Sequence, residues 1–252
     1  MSFNPTYNPY SLVGKTILIT GASSGIGRAT AIECSQLGAT CIITGRNEER
    51  LQETFEQLVG EGHIQIVADL AKIEDVDNLI EQCPEINGLV NNAGISNTKP
   101  IGFIKQDDLD NVFAANTFAP IMLTKLLIKK KKLQNGTSIV FTSSAAAMSP
   151  DVANAVYSAT KAAIASFSRS CAKELAGKRI RSNSVHPGMV KTSMTENLVV
   201  DQEDQEKDMQ RYPLKRYGRP EDVAWAIIYL LSDASAWVTG TSMVVDGGIL
   251  LV

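Results

Sequence analysis

The chain reads as an α/β protein, one doubly wound parallel sheet with helices on both faces. Three observations lead there. Short apolar, β-branched runs alternate with amphipathic segments from end to end. The runs show little polar alternation, as parallel strands covered on both faces should. A glycine-rich turn, 20–27, joins the first run to the first helical pattern. Ligands of such sheets bind beyond the carboxyl ends of the strands, so chemistry is sought just after each run.

Taken in order, the runs are 16–20, 39–44, 64–68, 88–91, 138–142, 181–185 and 242–245. The helical patterns are 26–37, halted by Gly38; 48–58, which Asn47 can cap; 73–83; 107–131; 155–175; and 220–231, with Pro220 in its first turn. One domain is expected over 11–252, preceded by a flexible extension, 1–10. The stretch 191–218 breaks the rhythm, with a charge cluster at 201–208 and no strand signal. A segment that long inside a compact domain is usually functional, and it reads as a substrate lid.

The 252 residues are 44% hydrophobic and 20% charged, with a formal net charge of -3. That is the composition of a soluble globular protein, and the acidic balance argues against a nucleic-acid partner. Lys129 to Lys132 form a basic run where a long helix should end, a place the helix dipole favours for cations. Four cysteines without C-x-x-C spacing and only two histidines give no metal centre to expect. Residues 1–10 lack a signal-peptide pattern, and the apolar run 223–231 is too short to cross a bilayer. No membrane partner is expected, and the expected location is cytoplasmic.

In Thr20-Gly21-Ala22-Ser23-Ser24-Gly25-Ile26-Gly27, strand, turn and helix follow in order. That aims free backbone N–H groups and the positive end of a helix dipole at one place, which suits a pyrophosphate. Gly21 would make the tight turn, Gly25 admit the ligand to the backbone, and Gly27 let the helix sit close on the strand. The G-x-x-x-G-x-G spacing differs from the commoner G-x-G-x-x-G. Tyr157 and Lys161 stand at i and i+4 on one helix face, so hydroxyl and ammonium can address one site. Ser144 stands 13 positions before Tyr157, directly after a run, with Ser143 as its competitor. Polar or glycine residues also follow other runs: Arg46, Asp69-Leu70, Asn91-Asn92-Ala93-Gly94 and His186-Pro187-Gly188.

Together these residues resemble the short-chain dehydrogenase/reductase family, over nearly the whole chain from Gly14. The likeness rests on the 20–27 turn, Asn91-Asn92-Ala93-Gly94, Asn116, Ser144, Tyr157 with Lys161, and Pro187-Gly188. Gly218-Arg219-Pro220-Glu221-Asp222-Val223 and Val245-Asp246-Gly247-Gly248 match as well. The resemblance implies a Rossmann-type fold and hydride transfer between a nicotinamide cofactor and a carbonyl or secondary alcohol. It implies that Gly21, Ser23, Ser24, Gly25, Ile26 and Gly27 bind the cofactor, with Asp69 and Leu70 at the adenine. Asn92, Ala93 and Gly94 are implied along the adenosine ribose, and Tyr157 and Lys161 on the nicotinamide ribose. Pro187, Gly188, Val190 and Thr192 are implied at the nicotinamide. Asn116 is implied to interrupt its helix and hold a water leading to Lys161. The family's 13-residue spacing selects Ser144 over Ser143. His186 reads as a neutral loop residue. A catalytically idle nicotinamide-binding sensor would have lost one of Asn116, Ser144, Tyr157 and Lys161, and all four stand.

Hydride addition to a carbonyl leaves an oxygen that needs a proton. Tyrosine, with a pKa of about 10, is an adequate acid and a reluctant base, and a nearby Lys161 cation brings it towards the working range. Tyr157 is then the acid in reduction and the base in oxidation, while Ser144 orients the substrate oxygen. Counting 18 from Gly27 reaches Gly45, where a carboxylate would favour NAD; Arg46 follows instead. A guanidinium can pair with a 2′-phosphate, so NADP(H) is expected over NAD(H), with reduction as the natural direction.

The branch most resembled, the 3-oxoacyl-acyl-carrier-protein reductases, implies an acyl thioester as substrate. The substrate pocket is expected from 145–154 and the lid. An apolar wall of Ala145, Ala146, Ala147 and Met148 fits an acyl chain, a steroid or a small ketone equally, and a sugar is a further alternative. Lys129 to Lys132 and Lys178 could meet an acidic carrier protein, though solvated charge explains them as well. A homotetramer or dimer is implied, through helix 155–175 with Ala159, Ala162, Ala163 and Ala165, and through the C-terminal strand.

Overall fold

The computed structural model describes residues 7–192 and 202–252. Its strands are β1 (Thr16–Thr20), β2 (Thr40–Gly45), β3 (Ile64–Val67), β4 (Ile86–Asn91), β5 (Leu133–Thr142), β6 (Arg181–Pro187) and β7 (Ser242–Val245). All pair in parallel, in the order β3-β2-β1-β4-β5-β6-β7. The winding reverses between β1 and β4, so a crevice opens beyond their carboxyl ends. This is the doubly wound α/β sheet that the sequence predicts.

Strand side chains alternate between two cores. Ile17, Ile19, Cys41, Ile43, Val90 and Val140 pack on one face against Ala31, Cys34, Val223, Ile227 and Leu231. Leu18, Ile42, Leu89, Ile139 and Phe141 pack on the other against Val76, Leu79, Leu123, Leu127 and Ile164. Both faces are apolar, which is why the strands read as unbroken runs. The first core is covered by α1 (Gly25–Gln36) and α8 (Pro220–Leu231), with α2 (Glu48–Phe55) beside them. The second is covered by α3 (Ile73–Gln82), α5 (Ala119–Lys129) and α6 (Ala155–Glu174).

The local signals account for several boundaries. Asn47 caps α2, its Oδ1 accepting from the Arg50 N–H at 2.8 Å. Gly38 ends α1 with φ +90. Asp222 accepts from the Arg219 N–H at 2.8 Å, fastening the start of α8 behind Pro220. α5 stops at Lys129, so the lysine run begins at a helix end as expected.

Three elements differ from the expectation. The helix read over 107–131 is α4 (Gln106–Phe113), a π turn (Ala114–Phe118) and α5 in unbroken succession. By length and composition that succession could cross a bilayer, yet it packs on the sheet through Val112, Ala119, Leu123 and Leu127. β5 starts five residues early, because Gln134 to Thr137 carry no apolar signal but are held to Ile86, whose carbonyl accepts from Thr137 Oγ1 at 2.9 Å. The charge cluster in the lid forms a helix, α7 (Gln202–Arg211), laced by Glu203–Lys207 and Asp208–Arg211 ion pairs of 2.8 Å.

The lid's middle, 193–201, lies outside the described residues, as do residues 1–6 of the extension. Both ends of the stretch read as a lid are pinned. The Gly218 N–H donates to the Met189 carbonyl at 2.9 Å, and the Lys191 N–H to the Gly218 carbonyl at 3.0 Å. The end of the extension is fastened too: the Pro9 carbonyl accepts from Ala234 at 3.0 Å, and Tyr10 lies 6.4 Å from the Tyr229 ring.

Candidate active site

The crevice holds a cavity of about 1050 Å³, and its walls bring together residues from every strand end between β3 and β6. Gly21, Ser23, Ser24, Gly25, Ile26, Arg46, Asp69 and Leu70 line one end. Asn92, Ala93, Gly94, Ser144, Tyr157, Lys161, Pro187, Gly188, Val190 and Thr192 line the rest. Of the residues expected at the site, Gly27 and Asn116 lie behind the wall, where each supports a neighbour.

Gly27 is packed under the turn: a Cβ there would fall 2.2 Å from the Gly21 carbonyl oxygen. Gly21 has φ +65, which only glycine adopts freely. Ser24 precedes α1 in extended backbone and its side chain caps nothing, and no acidic residue occupies the first turn. The first-turn N–H groups are thus left for an anion, which fits a dinucleotide pyrophosphate. Asn92 clamps the turn, its Nδ2 donating to the Thr20 carbonyl at 3.2 Å, while Thr20 Oγ1 accepts from the Asn92 and Ala93 N–H groups at 3.0 Å. The Asn92 side chain therefore holds the turn and leaves the 92–94 main chain as the wall.

The sequence reading missed two arginines. Arg28 braces the turn, its guanidinium donating to the Ser23 carbonyl at 2.9 Å, to Glu53 at 2.9 Å and to Thr54 Oγ1 at 3.0 Å. Arg50, four residues after Arg46 in the first turn of α2, lines the same end of the cavity. Neither Arg46 nor Arg50 pairs with a carboxylate among the described residues. The i, i+4 spacing was visible in the sequence. A side chain at Gly45 would meet Ser23 at 3.1 Å, so the turn itself occupies the space a carboxylate there would need.

At the other end, Ser144 follows β5 and Tyr157 and Lys161 project from the first two turns of α6. Burial pushes the Tyr157 phenol up, and the Ser144 hydroxyl beside it pulls the other way. Burial alone lowers Lys161, which is 5% exposed, to about 8. Its Nζ donates to the Thr142 carbonyl at 2.8 Å and stands 5.6 Å from the centre of the Tyr157 ring. Within the polypeptide, then, burial outweighs the Ser144 hydroxyl at Tyr157 and holds the phenol above its ordinary pKa. Ser143 faces away: its hydroxyl donates to the Lys161 carbonyl at 2.8 Å and ties α6 to the sheet.

Asn116 sits in the π turn, 2% exposed. Its Oδ1 accepts from the Ile95 N–H at 2.8 Å, and its Nδ2 donates to the Ile95 carbonyl at 2.9 Å and to Thr160 Oγ1 at 3.1 Å. The expected interruption of the helix is there, and both Nδ2 donors of the side chain are taken up by Ile95 and Thr160. His186 is no loop residue. It lies inside β6, because pairing with β7 carries that strand through Pro187.

The substrate side of the cavity is more polar than expected. Ala145 and Ala146 line it, but so do Ser149, Asp151, Asn154, Asn111 and Ser96, whereas Met148 is exposed and stands outside the wall. Asp208, Arg211 and Tyr212 enter from α7 and the chain after it, and Ile249, Leu250 and Val252 from the C-terminus, which no motif announced. Lys129 to Lys132 immediately precede β5, and Lys178 precedes β6. They therefore sit at the amino edge of the parallel sheet, opposite the site, and do not flank its mouth.

A family model described as enoyl-(acyl carrier protein) reductase matches residues 21–250. The 3-oxoacyl-[acyl-carrier-protein] reductase FabG of Rickettsia felis is 39% identical over 241 residues, 96% of this chain and 99% of that protein. The L-xylulose reductase of Caenorhabditis elegans is 38% identical over 243 residues, 95% of this chain and 97% of that protein. A structure from Beutenbergia cavernae, described as an NAD(P)-dependent gluconate 5-dehydrogenase with NADP bound at low occupancy, superposes with a TM-score of 0.88. It is 32% identical and the match covers 97% of this chain and 100% of that one. With fold, motifs and relatives in agreement, this chain belongs to the short-chain dehydrogenase/reductase family, oxidoreductases that act on CH–OH groups with NAD(P).

Proposed function

We propose that the protein uses NADPH to reduce a carbonyl, with a 3-oxoacyl thioester as the first substrate class. The reading is carried by the Ser144–Tyr157 hydroxyl pair beside buried Lys161 on the cavity wall. Pro187 and Gly188, on the cavity wall, would hold a nicotinamide, which would supply the hydride. Ser144 donates a hydrogen bond to the substrate oxygen and orients it. Tyr157 passes its phenolic proton to that oxygen as negative charge develops there, and the Lys161 ammonium stabilises the phenolate left behind. In oxidation the same proton returns to Tyr157. The Asn116 main chain, held by the π turn, is the place for a water that resupplies Lys161.

Arg46 and Arg50 support NADP(H) over NAD(H): two guanidinium groups without a carboxylate partner among the described residues stand where the adenosine end would lie, and the wall has no carboxylate at Gly45. The thioester reading is supported by relatives such as the 3-oxoacyl-[acyl-carrier-protein] reductase of Rickettsia felis. A second reading, a small hydroxylated ketone, is supported by the polar wall of Ser149, Asp151 and Asn154 and by the L-xylulose reductase relative. Following NADPH absorbance with acetoacetyl-coenzyme A and with L-xylulose separates them. Turnover of the thioester at more than tenfold higher kcat/KM supports the first, and the reverse order replaces it with the second.

A homotetramer, with a dimer as the alternative, belongs to the same proposal. Trp237, 99% exposed, precedes the edge strand β7, and Ala159 and Ala162 leave an exposed small-residue face on α6. Light scattering that returns the mass of one chain would remove the oligomer from the proposal. A cytoplasmic location is supported by four buried, unpaired cysteines.

A further inference from the structure

His186 is a buried ionisable group that the reaction outlined above does not use. It is 1% exposed, one residue before Pro187. Its Nδ1 lies 3.1 Å from the Ser144 carbonyl oxygen and its Nε2 lies 2.9 Å from Ser184 Oγ. A carbonyl oxygen can only accept, so Nδ1 carries the proton. Burial and the nearby Arg169 and Lys161 charges lower the imidazole's pKa, with only the Ser144 bond opposing them. The ring is therefore neutral, Nε2 is an acceptor, and the Ser184 hydroxyl donates to it.

Strand register explains why these groups meet. Ser184 and His186 share one face of β6, and Ser184 is paired with Ser242 of β7, their hydroxyls 3.4 Å apart. Thr142 pairs with Val185, so the chain leaving β5 brings Ser144 level with His186. The Ser144 carbonyl accepts twice: from His186, and from the Ala147 N–H at 3.0 Å within its own turn. His186 is thus the bond that references the Ser144 peptide to the sheet, whereas the other moves with the turn. On the far side of that peptide, the Ser144 hydroxyl accepts from the Ala146 N–H at 3.1 Å and stands beside Tyr157, whose pKa it lowers.

We infer that His186 is a positioning residue, which as the Nδ1–H tautomer locks the Ser144 peptide and so aims the Ser144 hydroxyl at Tyr157. The inference rests on the proposed roles of Ser144 and Tyr157. His186→Asn keeps an amide N–H near the place of Nδ1, His186→Gln carries one nearer Nε2, and His186→Leu offers none.

The test combines two measurements on the full chain with NADP+ bound. In histidine-labelled wild type, nitrogen NMR near pH 7 is expected to show a protonated Nδ1 and a bare Nε2. In tyrosine-labelled protein, with the Tyr157 signal assigned by Tyr157→Phe, the Leu and Gln variants are expected to titrate Tyr157 at higher pH. Turning the Ser144 hydroxyl away from Tyr157 removes what lowers that pKa, and the Asn variant is expected to restore it. With acetoacetyl-coenzyme A and NADPH, kcat is expected to fall roughly 10–100-fold in Leu and Gln, with the KM for NADPH unchanged. A protonated Nε2 in the wild type overturns the inference, and so does an unmoved Tyr157 titration in folded Leu and Gln variants. Should the variants not fold, the wild-type tautomer still decides. Should the wild type leave acetoacetyl-coenzyme A unreduced, the thioester reading fails while both NMR measurements stand.

Discussion

Burial acts on Tyr157 and Lys161 in opposite directions, because the charged form is an anion in one and a cation in the other. Both are pushed towards neutrality, which suits the phenol to the proposed role of acid. Tyr157→Phe is expected to lower kcat by roughly 10²–10⁴-fold while NADPH affinity stays within a few-fold, since only the hydroxyl is lost. A variant retaining a tenth of the wild-type rate would remove Tyr157 as the proton donor. Ser144→Ala is expected to cut the rate strongly. Ser143→Ala instead removes a buried bond to the Lys161 carbonyl and should lower stability by about 1 kcal/mol, with the milder effect on rate. The opposite order of rates would reassign the substrate-orienting serine.

Lys161 also makes a stability prediction. Its pKa is about 8 folded, against the 10.5 of a free lysine, so the unfolded chain binds more protons between those values. The charged lysine thus costs stability below about pH 8, and the cost disappears as pH rises towards 10.5. Lys161→Met should raise the unfolding free energy at pH 7 by up to about 3 kcal/mol, the gain shrinking between pH 8 and 10.5, while activity is lost. A gain that stays constant across that window in thermal melts would refute the account.

Among the elements, the proposed lid is distinguished by what its helix lacks. α7 is strongly charged, and only Tyr212 and Tyr217 behind it are buried, stacked edge-on at 5.6 Å, with the Tyr217 hydroxyl donating to Asp208 at 2.8 Å. The Met189 N–H donates to the Tyr212 hydroxyl at 3.3 Å, coupling the lid to the chain after Pro187. α7 is therefore expected to exchange its amide hydrogens faster than β1 or β5, and to gain protection when NADPH binds. Equal protection of α7 and the sheet with and without NADPH would remove the lid.

At the scale of the whole molecule, the sheet's switch point sets Arg46 and Arg50 on the cavity wall, at the end proposed for the adenosine. Cofactor choice and proton transfer are therefore separable. Arg46→Asp is expected to reverse or abolish the preference for NADPH in kcat/KM without changing the pH dependence of the reaction. Equal wild-type efficiency with NADPH and NADH, or an unchanged preference in the variant, would end the NADP assignment.

What the sequence determined by itself was whatever local patterning encodes. Unbroken apolar runs between amphipathic segments specified a parallel sheet covered on both faces, and Asn47, Gly38 and Pro220 marked helix ends through their own backbone chemistry. The glycine turn and the Tyr157–Lys161 pair were legible because one strand-to-helix turn and one helix face suffice to gather them, whereas Ser144 came only from the 13-residue spacing of the resembled family. Only the tertiary structure decided the rest, since it depends on which distant segments become neighbours. Strand pairing carried β6 through His186 and set that ring against Ser144, 42 positions away. The π turn spent Asn116 on Ile95, the C-terminus arrived at the substrate wall, and the lysine runs fell at the edge opposite the site. Sequence periodicity records the face a residue presents to its own sheet; it carries no term for what another strand's end brings to that face.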